Sequence, residues 1–443
     1  MRTSPSHSPG EFIFLVTHLV PYPPARGVEL RILKLLTWLH GEGYRVVLVV
    51  PAESIAEDVL AELSKVTHAV YWTRPPLRTR LGKRLPYLRK ALWEPLKPFF
   101  KQPVQANGDT GVPKQPFSVG DSQIKKGLCP DSLIRLVGKL VRKYRPQAMI
   151  AEYVFLTPCF ATLPPGTLKI VDTIDVFSRK TDQVLAFGIG DAQACTEEEE
   201  RQYLLQADVI VAIQSREAEL LKALVPERKV LLTGMDFDGV EKSSTVGTCP
   251  NSIAVIASDN ALNVHGLRDF LAECWPQIQA AHPDALLNIV GKVGDHCRIE
   301  DPGVHYTPWV DDLSGVYREA RVIINPTIAG TGLKIKSAQA LAHGKPLVAW
   351  ANGVEGLEYE GEPPYIQCNS WPEFAHAVVR LLRSEDESDT LARRALAYAQ
   401  KEFCATKVYA SVKTCLNEHL SPRYDDRIKQ LESIAGRHQR NTL

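Results

Sequence analysis

Apolar and polar positions along the chain fall into two successive alternating rhythms. Phe12–Thr17 is a nearly unbroken apolar run, and beyond it Val28, Ile32, Leu35, Leu36 and Leu39 recur at helical spacing. A Gly-Glu-Gly stop and the apolar run YRVVLVVP follow. Strand, helix, strand, with strands apolar on both faces, is the parallel βαβ unit. A helix at about 56–65 and a strand HAVYW continue it. After residue 127 the pattern predicts a helix at 131–144, strands in QAMIAEYV and LKIVDTIDV, a helix at 197–206, a strand in ADVIVAIQ, a helix from Ser215 and a strand in KVLLTG. A polar stretch, 235–250, separates this from a second alternation. That one has strands in SIAVIAS, ALLNIVG, GVHYT, ARVIINP and PLVAWA, helices at 263–281 and 312–318, and further helices over 371–420.

The pattern reads as α/β, two Rossmann-like parallel-sheet units in sequence facing a central cleft. Residues 1–10 are expected to be a disordered N-terminus and 11–234 an N-terminal unit, with 74–127 as an insertion rich in Pro, Lys and Arg. Residues 235–250 read as a linker, 251–420 as a C-terminal unit with terminal helices, and 421–443 as a tail. The 443 residues and 44% hydrophobic content agree with two cores rather than one. A net charge of +1 gives no global argument for nucleic acid. No apolar run approaches the roughly 20 residues that span a bilayer. FIFLVTHLV is too short and follows a Ser/Pro-rich stretch, so it reads as a strand rather than a signal peptide. Nine cysteines without a CxxC pair suit a reducing cytosol and argue against a disulfide framework or a zinc site.

The stretch NPTIAGTGLKIKSAQALAHGKPLVA, Asn325 to Ala349, carries the most chemistry. An apolar strand runs into Gly330, Thr331 and Gly332, then a helix with Lys334 and Lys336 in its first turn. Glycines let backbone N–H groups approach an anion, and the helix N-terminus favours one. Two cations at that end oppose the helix dipole unless an anion joins them. By spacing alone a diphosphate cradle and a plain strand–turn–helix connection with solvated lysines are both open.

Residues 321–357 resemble the donor-site signature of GT-B glycosyltransferases, and more narrowly family 4 members with a Gly-Thr-Gly-Leu-Lys-Ile-Lys run. PYPPARGVELRILKLLTWLHGEGYRVVLVVP resembles that family's N-terminal acceptor-side loop and first helix. KIVDTIDVFSRK, QADVIVAIQSREAELL, LLTGMDFD, NALNVHGLRDFLAECWPQI and VYREARVIINP extend the likeness over most of 12–420, weakly between about 74 and 130. The resemblance implies a GT-B fold and transfer of a sugar from a nucleotide diphosphate sugar, with retention and without metal or other cofactor. The acceptor is a hydroxyl of a glycan, a lipid-linked sugar or a small molecule. It implies donor binding by Gly330, Thr331, Gly332, Leu333, Lys334, Lys336 and Gln339. The leaving diphosphate is the charge to be stabilised, as an oxyanion hole does elsewhere.

The chain departs from the family pattern in two places. Many members carry two glutamates here, the second contacting the ribose, where this chain has Thr331 and Gln339. A carboxylate accepts two hydroxyls with charge, whereas an amide offers one neutral acceptor and a donor. The Arg and Lys that many members place after the first C-domain strand are missing from ASDNALNVHG. Asn263 and His265 are donor-contact candidates there, with a helix N-cap as the preferred role for Asn263.

On the acceptor and phosphate side the resemblance points to Arg26 and Gly27, with a surface arginine after a proline turn as the competing reading. Glu152 and Asp175, each near the end of a strand, are the catalytic candidates, against capping or structural roles. Glu355 is a candidate substitute for the missing ribose carboxylate. Asp236 to Asp238, Asp-Phe-Asp, looks like a metal motif but falls in the linker, and no metal site is expected. Glu197 to Glu200 suit a helix's first turn, and His343 with Gly344 a helix end. Between Arg74 and Lys101 nine Lys and Arg face a lone Glu94, with Leu, Trp, Tyr and Phe interleaved. That composition suits an anionic membrane surface; a solvated crossover loop is the alternative. The reading is a cytoplasmic glycosyltransferase, peripheral at the inner face of the cell membrane, with no nucleic-acid partner. Two alternatives stand beside it. One is a catalytically degenerate GT-B subunit that binds or activates a partner transferase, the other a GT-B epimerase or hydrolase.

Overall fold

A computed structural model describes residues 11–73, 128–188, 194–238, 248–308, 310 and 312–420. The expected N-terminus 1–10, insertion 74–127 and tail 421–443, and the middle of 235–250, lie outside the described residues.

Two fully parallel sheets form. The first has the order β3-β2-β1-β4-β5-β6-β7, with β1 Phe12–Val16, β2 Arg45–Pro51, β3 Ala69–Thr73, β4 Ala148–Glu152, β5 Leu168–Asp172, β6 Val209–Ala212 and β7 Lys229–Leu232. The second has the order β10-β9-β8-β11-β12-β13, with β8 Ser252–Ile256, β9 Leu286–Val290, β10 Val304–Thr307, β11 Val322–Asn325, β12 Leu347–Trp350 and β13 Ile366–Cys368. Both orders reverse direction beside the first strand of their unit, the place where open α/β sheets bind ligands outside the strand carboxyl ends.

Strand alternation divides each unit into two cores. In the first, Phe14, Val16, Val47, Val49 and Met149 pack under helix Asp131–Tyr144. Ile13, Leu15, Val46, Leu48 and Ile150 pack on the other face against Ile32, Leu35, Leu36 and Leu39 of helix Gly27–Gly41. Val408, Tyr409, Val412, Cys415, Leu416 and Leu420 join this second core. The last helical stretch, 410–420, therefore belongs physically to the first unit, a correction to the expected 251–420 block. Its apolar face had no partner within its own unit to reveal by periodicity.

Helix Phe177–Ala186 was not expected from the pattern. It has no Ser, Thr, Asp or Asn cap. Buried Glu200 caps it from 23 residues away, accepting from Phe177 N at 2.7 Å, Ser178 N at 2.9 Å and Ser178 Oγ at 2.6 Å. Glu199, by contrast, makes the local capping box with Thr196.

Two chain crossings join the units and are tied together. Tyr409 OH donates to Asp236 Oδ2 at 2.7 Å, Phe237 N to Phe403 O at 2.9 Å, and Ala405 N to Asp238 Oδ2 at 3.0 Å. Asp236 and Asp238 are thus both engaged at the crossing.

Candidate functional site

The loop after β11 is built on a buried polar knot. Asn325 Nδ2 donates to Ser337 Oγ at 2.7 Å and Gly353 O at 3.1 Å, Ser337 Oγ to Gly353 O at 2.6 Å, and Thr327 Oγ1 to Asn325 Oδ1 at 2.7 Å. This fixes the loops after β11 and β12 against helix Ile335–Ala342. Gly330 and Gly332 take φ of 126° and 72°, which glycine tolerates and side-chain-bearing residues rarely do.

Lys334 is turned onto its own loop rather than standing as a free charge. It is 8% exposed, at the N-cap of the helix. Its Nζ donates to the carbonyls of Gly330, Thr331 and Gly332 at 3.0, 2.9 and 3.2 Å. Burial lowers its pKa, and Asp175, Glu355 and Glu217 push back. In a trans peptide the N–H lies opposite the carbonyl. Carbonyls gathered on the ammonium therefore turn the N–H groups of Thr331, Gly332 and Leu333 away from it. Leu333 itself is buried in the core of the second unit.

Lys336 is the loop's available cation. Its Nζ has one hydrogen bond, 2.7 Å to Asn263 Oδ1, and no carboxylate in ion-pair range among the described residues. Burial, then the charge of Lys334, lowers its pKa to about 7. Asn263 is not the helix cap expected for it. Asn260 caps helix Ala261–Asp269, accepting from Leu262 N at 2.9 Å. Asn263, one turn on, anchors its amide on Ser258 O and Oγ, both at 3.2 Å, and presents its oxygen to Lys336. The stretch 257–260 after β8 carries no Lys or Arg of its own, and Asn263 beyond it orients a cation from the facing helix. Gln339 is half-buried and its amide makes no hydrogen bond among the described residues. His343 ends the helix, stacked on Tyr317 at 4.2 Å, and Gly344 follows at φ 66°.

The first unit forms the opposing wall and touches the loop directly. Asp175 Oδ1 accepts from Thr331 Oγ1 at 3.0 Å. A Cβ on Gly332 would lie 2.8 Å from that carboxylate oxygen, and one on Gly27 2.7 Å from Ile335 Cδ1. Gly27 is thus where the first helix meets helix Ile335–Ala342. Arg26, largely exposed, pairs with Glu29 at 2.7 Å. Four residues that the sequence did not single out complete the wall. Gln183 Oε1 accepts from Gly330 N at 2.7 Å, and Glu217 Oε1 from Gly332 N at 2.6 Å. Gln214 Nε2 lies 3.4 Å from Gly332 O, and Arg216 pairs with Glu355 at 2.6 Å. Glu355 also accepts from Asn352 Nδ2 at 2.9 Å, so its carboxylate is engaged here and does not stand open to a ribose.

Glu152 is the clearest correction. It is fully buried, both carboxyl oxygens lack hydrogen bonds among the described residues, and burial, then Asp172, holds its pKa well above the usual range. Tyr153, at φ 76°, turns the chain into the 3-10 helix Val154–Thr162, whose packing covers the strand end. An acid without access to solvent cannot take an acceptor's proton in this arrangement. His18 packs on the Tyr153 ring at 4.6 Å, its pKa lowered to about 4 by burial and by Arg26.

Residues 250–384 match the family described as Glycosyl transferases group 1. A curated relative, an uncharacterized 44.6 kDa protein in the cps region of Klebsiella pneumoniae, is 23% identical over 161 residues. The matched stretch covers 34% of this chain and spans 42% of the relative's length. Sucrose-phosphate synthase of Thermosynechococcus elongatus superposes with a TM-score of 0.64 at 14% identity, over 93% of this chain and all of that one. Anabaena HepE in complex with UDP and glucose gives 0.60 at 12%, over 92% and 100%. A mutant TarM of S. aureus in complex with Fondaparinux, alpha-GlcNAc-glycerol and UDP gives 0.63 at 8%, over 92% and 100%. The fold is that of the GT-B glycosyltransferases.

Proposed function

We propose that the chain is a glycosyltransferase that moves a sugar from a nucleoside diphosphate sugar to a hydroxyl acceptor with retention, as family 4 enzymes do. The single observation that carries this is Lys336. It is a half-buried cation without a carboxylate partner among the described residues, beside a glycine loop at a helix N-terminus, inside the segment matching group 1 glycosyl transferases. A leaving diphosphate supplies the charge that this arrangement lacks. Neutralisation then falls to Lys336 and the backbone rather than to a divalent ion. UDP in the complexes of HepE and TarM makes a uridine diphosphate sugar the first donor to try.

The acceptor is a glycan or lipid-linked hydroxyl in this reading, and the basic and apolar residues 74–101 rest on the inner face of the cell membrane. Among the described residues no helix is long and apolar enough to cross a bilayer. Salt-dependent sedimentation with vesicles of anionic lipid, lost when the basic residues of 74–101 become Ser, is the expected result; no binding at low salt rejects membrane contact.

Calorimetry with a panel of nucleoside diphosphates tests the donor site. Binding of one nucleotide, with turnover of its sugar conjugate, is expected. Gln339→Glu is expected to tighten that nucleotide by about tenfold, because a carboxylate adds a charge-assisted bond to the ribose. Nucleotide binding without turnover of any sugar conjugate, by contrast, favours the degenerate-subunit reading. The Gln339 amide, without a hydrogen bond among the described residues, is the observation behind that reading.

A further inference from the structure

Two amides of the loop are already filled. Gly330 N donates to Gln183 Oε1 at 2.7 Å and Gly332 N to Glu217 Oε1 at 2.6 Å, both acceptors coming from the opposite unit. Thr331 Oγ1 between them is held by Asp175. The fit is a poor bargain for Glu217 itself. Its side chain is almost wholly buried, and its second oxygen, Oε2, has no partner among the described residues. Gln214, three residues earlier, likewise keeps a buried Oε1 without a partner among the described residues while its amide reaches Gly332 O. A buried acceptor with a single bond and an orphan oxygen bears most of the cost of leaving water. It regains full hydration when it swings out.

We propose that Glu217 and Gln183 set the affinity of the donor site by standing in for the oxygens of the donor diphosphate on the Gly332 and Gly330 amides, so that nucleotide must displace them to bind. This rests on the donor-site reading above. The surroundings make the exchange selective for a strong acceptor. Lys334 holds the loop carbonyls in place whichever acceptor is present. Glu217 faces Asp175 and Glu355, which disfavour a second negative charge, along with Lys334, which favours it. Burial, then Asp175 and Glu355, raise the Glu217 pKa to about 8 against the pull of the Gly332 amide and Lys334, so at neutral pH the stand-in is largely uncharged. A diphosphate brings charge that an uncharged carboxyl and an amide do not, and it replaces both acceptors at once. Arg216 and Ser215, bonded to Glu355 and Glu358 across the cleft, belong to the same helical turn and release with it.

The test is calorimetry of the full chain with UDP, GDP, ADP and CDP, on the native protein and on Glu217→Ala and Gln183→Ala. Removing a competing acceptor frees one amide, worth about one hydrogen bond, so Glu217→Ala is expected to bind the preferred nucleotide about tenfold more tightly and Gln183→Ala several-fold. Gln183 is half-buried on a helix, so its variant remains informative if the Glu217 variant fails to fold. Nucleotide binding that is unchanged or weaker in the folded variants overturns the proposal and leaves the donor site standing, since these residues then support the loop rather than compete for it. No binding of any nucleotide by any of the proteins overturns the donor-site reading and this proposal with it.

Discussion

Replacing Arg31 by leucine is expected to destabilise the protein by about 3–5 kcal/mol, the usual cost of breaking one side of a buried ion pair. Arg31 is 3% exposed. Its Nε and Nη2 reach the two oxygens of Asp172 at 2.8 and 3.0 Å, Nη2 also donates to Thr233 O at 2.9 Å, and Nη1 to Gly234 O. β4 and β5 pair Glu152 with Asp172, so two buried carboxyl groups sit side by side at the strand ends. Without the guanidinium both are left facing each other with no counter-charge. The loss also reaches the crossing between the units, since the Thr233 and Gly234 carbonyls open it. Urea unfolding should show the midpoint falling; a change under about 1 kcal/mol would mean that water or a rearranged partner replaces the guanidinium. Glu152 adds a pH signature. Its raised pKa means the folded protein binds a proton that the unfolded chain has lost. That contribution is full below the ordinary glutamate range and fades as pH rises through the raised value. Glu152→Gln is therefore expected to flatten the fall of stability with rising pH.

Lys336→Met is expected to weaken nucleoside diphosphate binding by about 10- to 100-fold at neutral pH or below, the range of one charge-assisted hydrogen bond. The penalty depends on pH in a stated direction. Lys336 has a pKa of about 7 in the free protein, and an anion beside it favours the ammonium. Below pH 7 the charge is present and the native protein holds its full advantage over the variant. Above pH 7 the native protein must take up a proton to bind, and its advantage shrinks as pH rises. Displacing Glu217 into water releases a proton over a similar range, so the lysine's uptake is read as the difference between the native protein and Lys336→Met. Calorimetry at pH 8 in two buffers of different ionisation heat measures it. Equal proton uptake by both proteins, or a penalty that does not change with pH, would remove Lys336 from the phosphate site.

Local pattern and long-range pairing account for different parts of this molecule. The strands in YRVVLVVP, ADVIVAIQ and ARVIINP were legible because a strand buried on both faces is a short apolar run, whatever it packs against. The turn at Gly330 and Gly332 was legible because a positive φ demands glycine. Helix Phe177–Ala186 was not, because its cap is Glu200, which reads locally as one more acid in a helix's first turn. Glu152 reads as a cleft acid because it ends a strand; the turn at Tyr153 and the packing of the 3-10 helix that follows bury it.

The sequence by itself determined two parallel α/β units, the loop-to-helix element at 325–344 and the missing cations after β8, because these depend on residues close along the chain. Only the tertiary structure decided what the lysines hold. Lys334 turns inward because three carbonyls of its own loop converge on it, while Lys336 meets an amide 73 residues away. Gln183 and Glu217 reach the glycine amides from 147 and 115 residues away, and the last helix returns to the first unit's core. Those partners are set by how two sheets and two chain crossings close on one another, a property no spacing of neighbouring residues encodes.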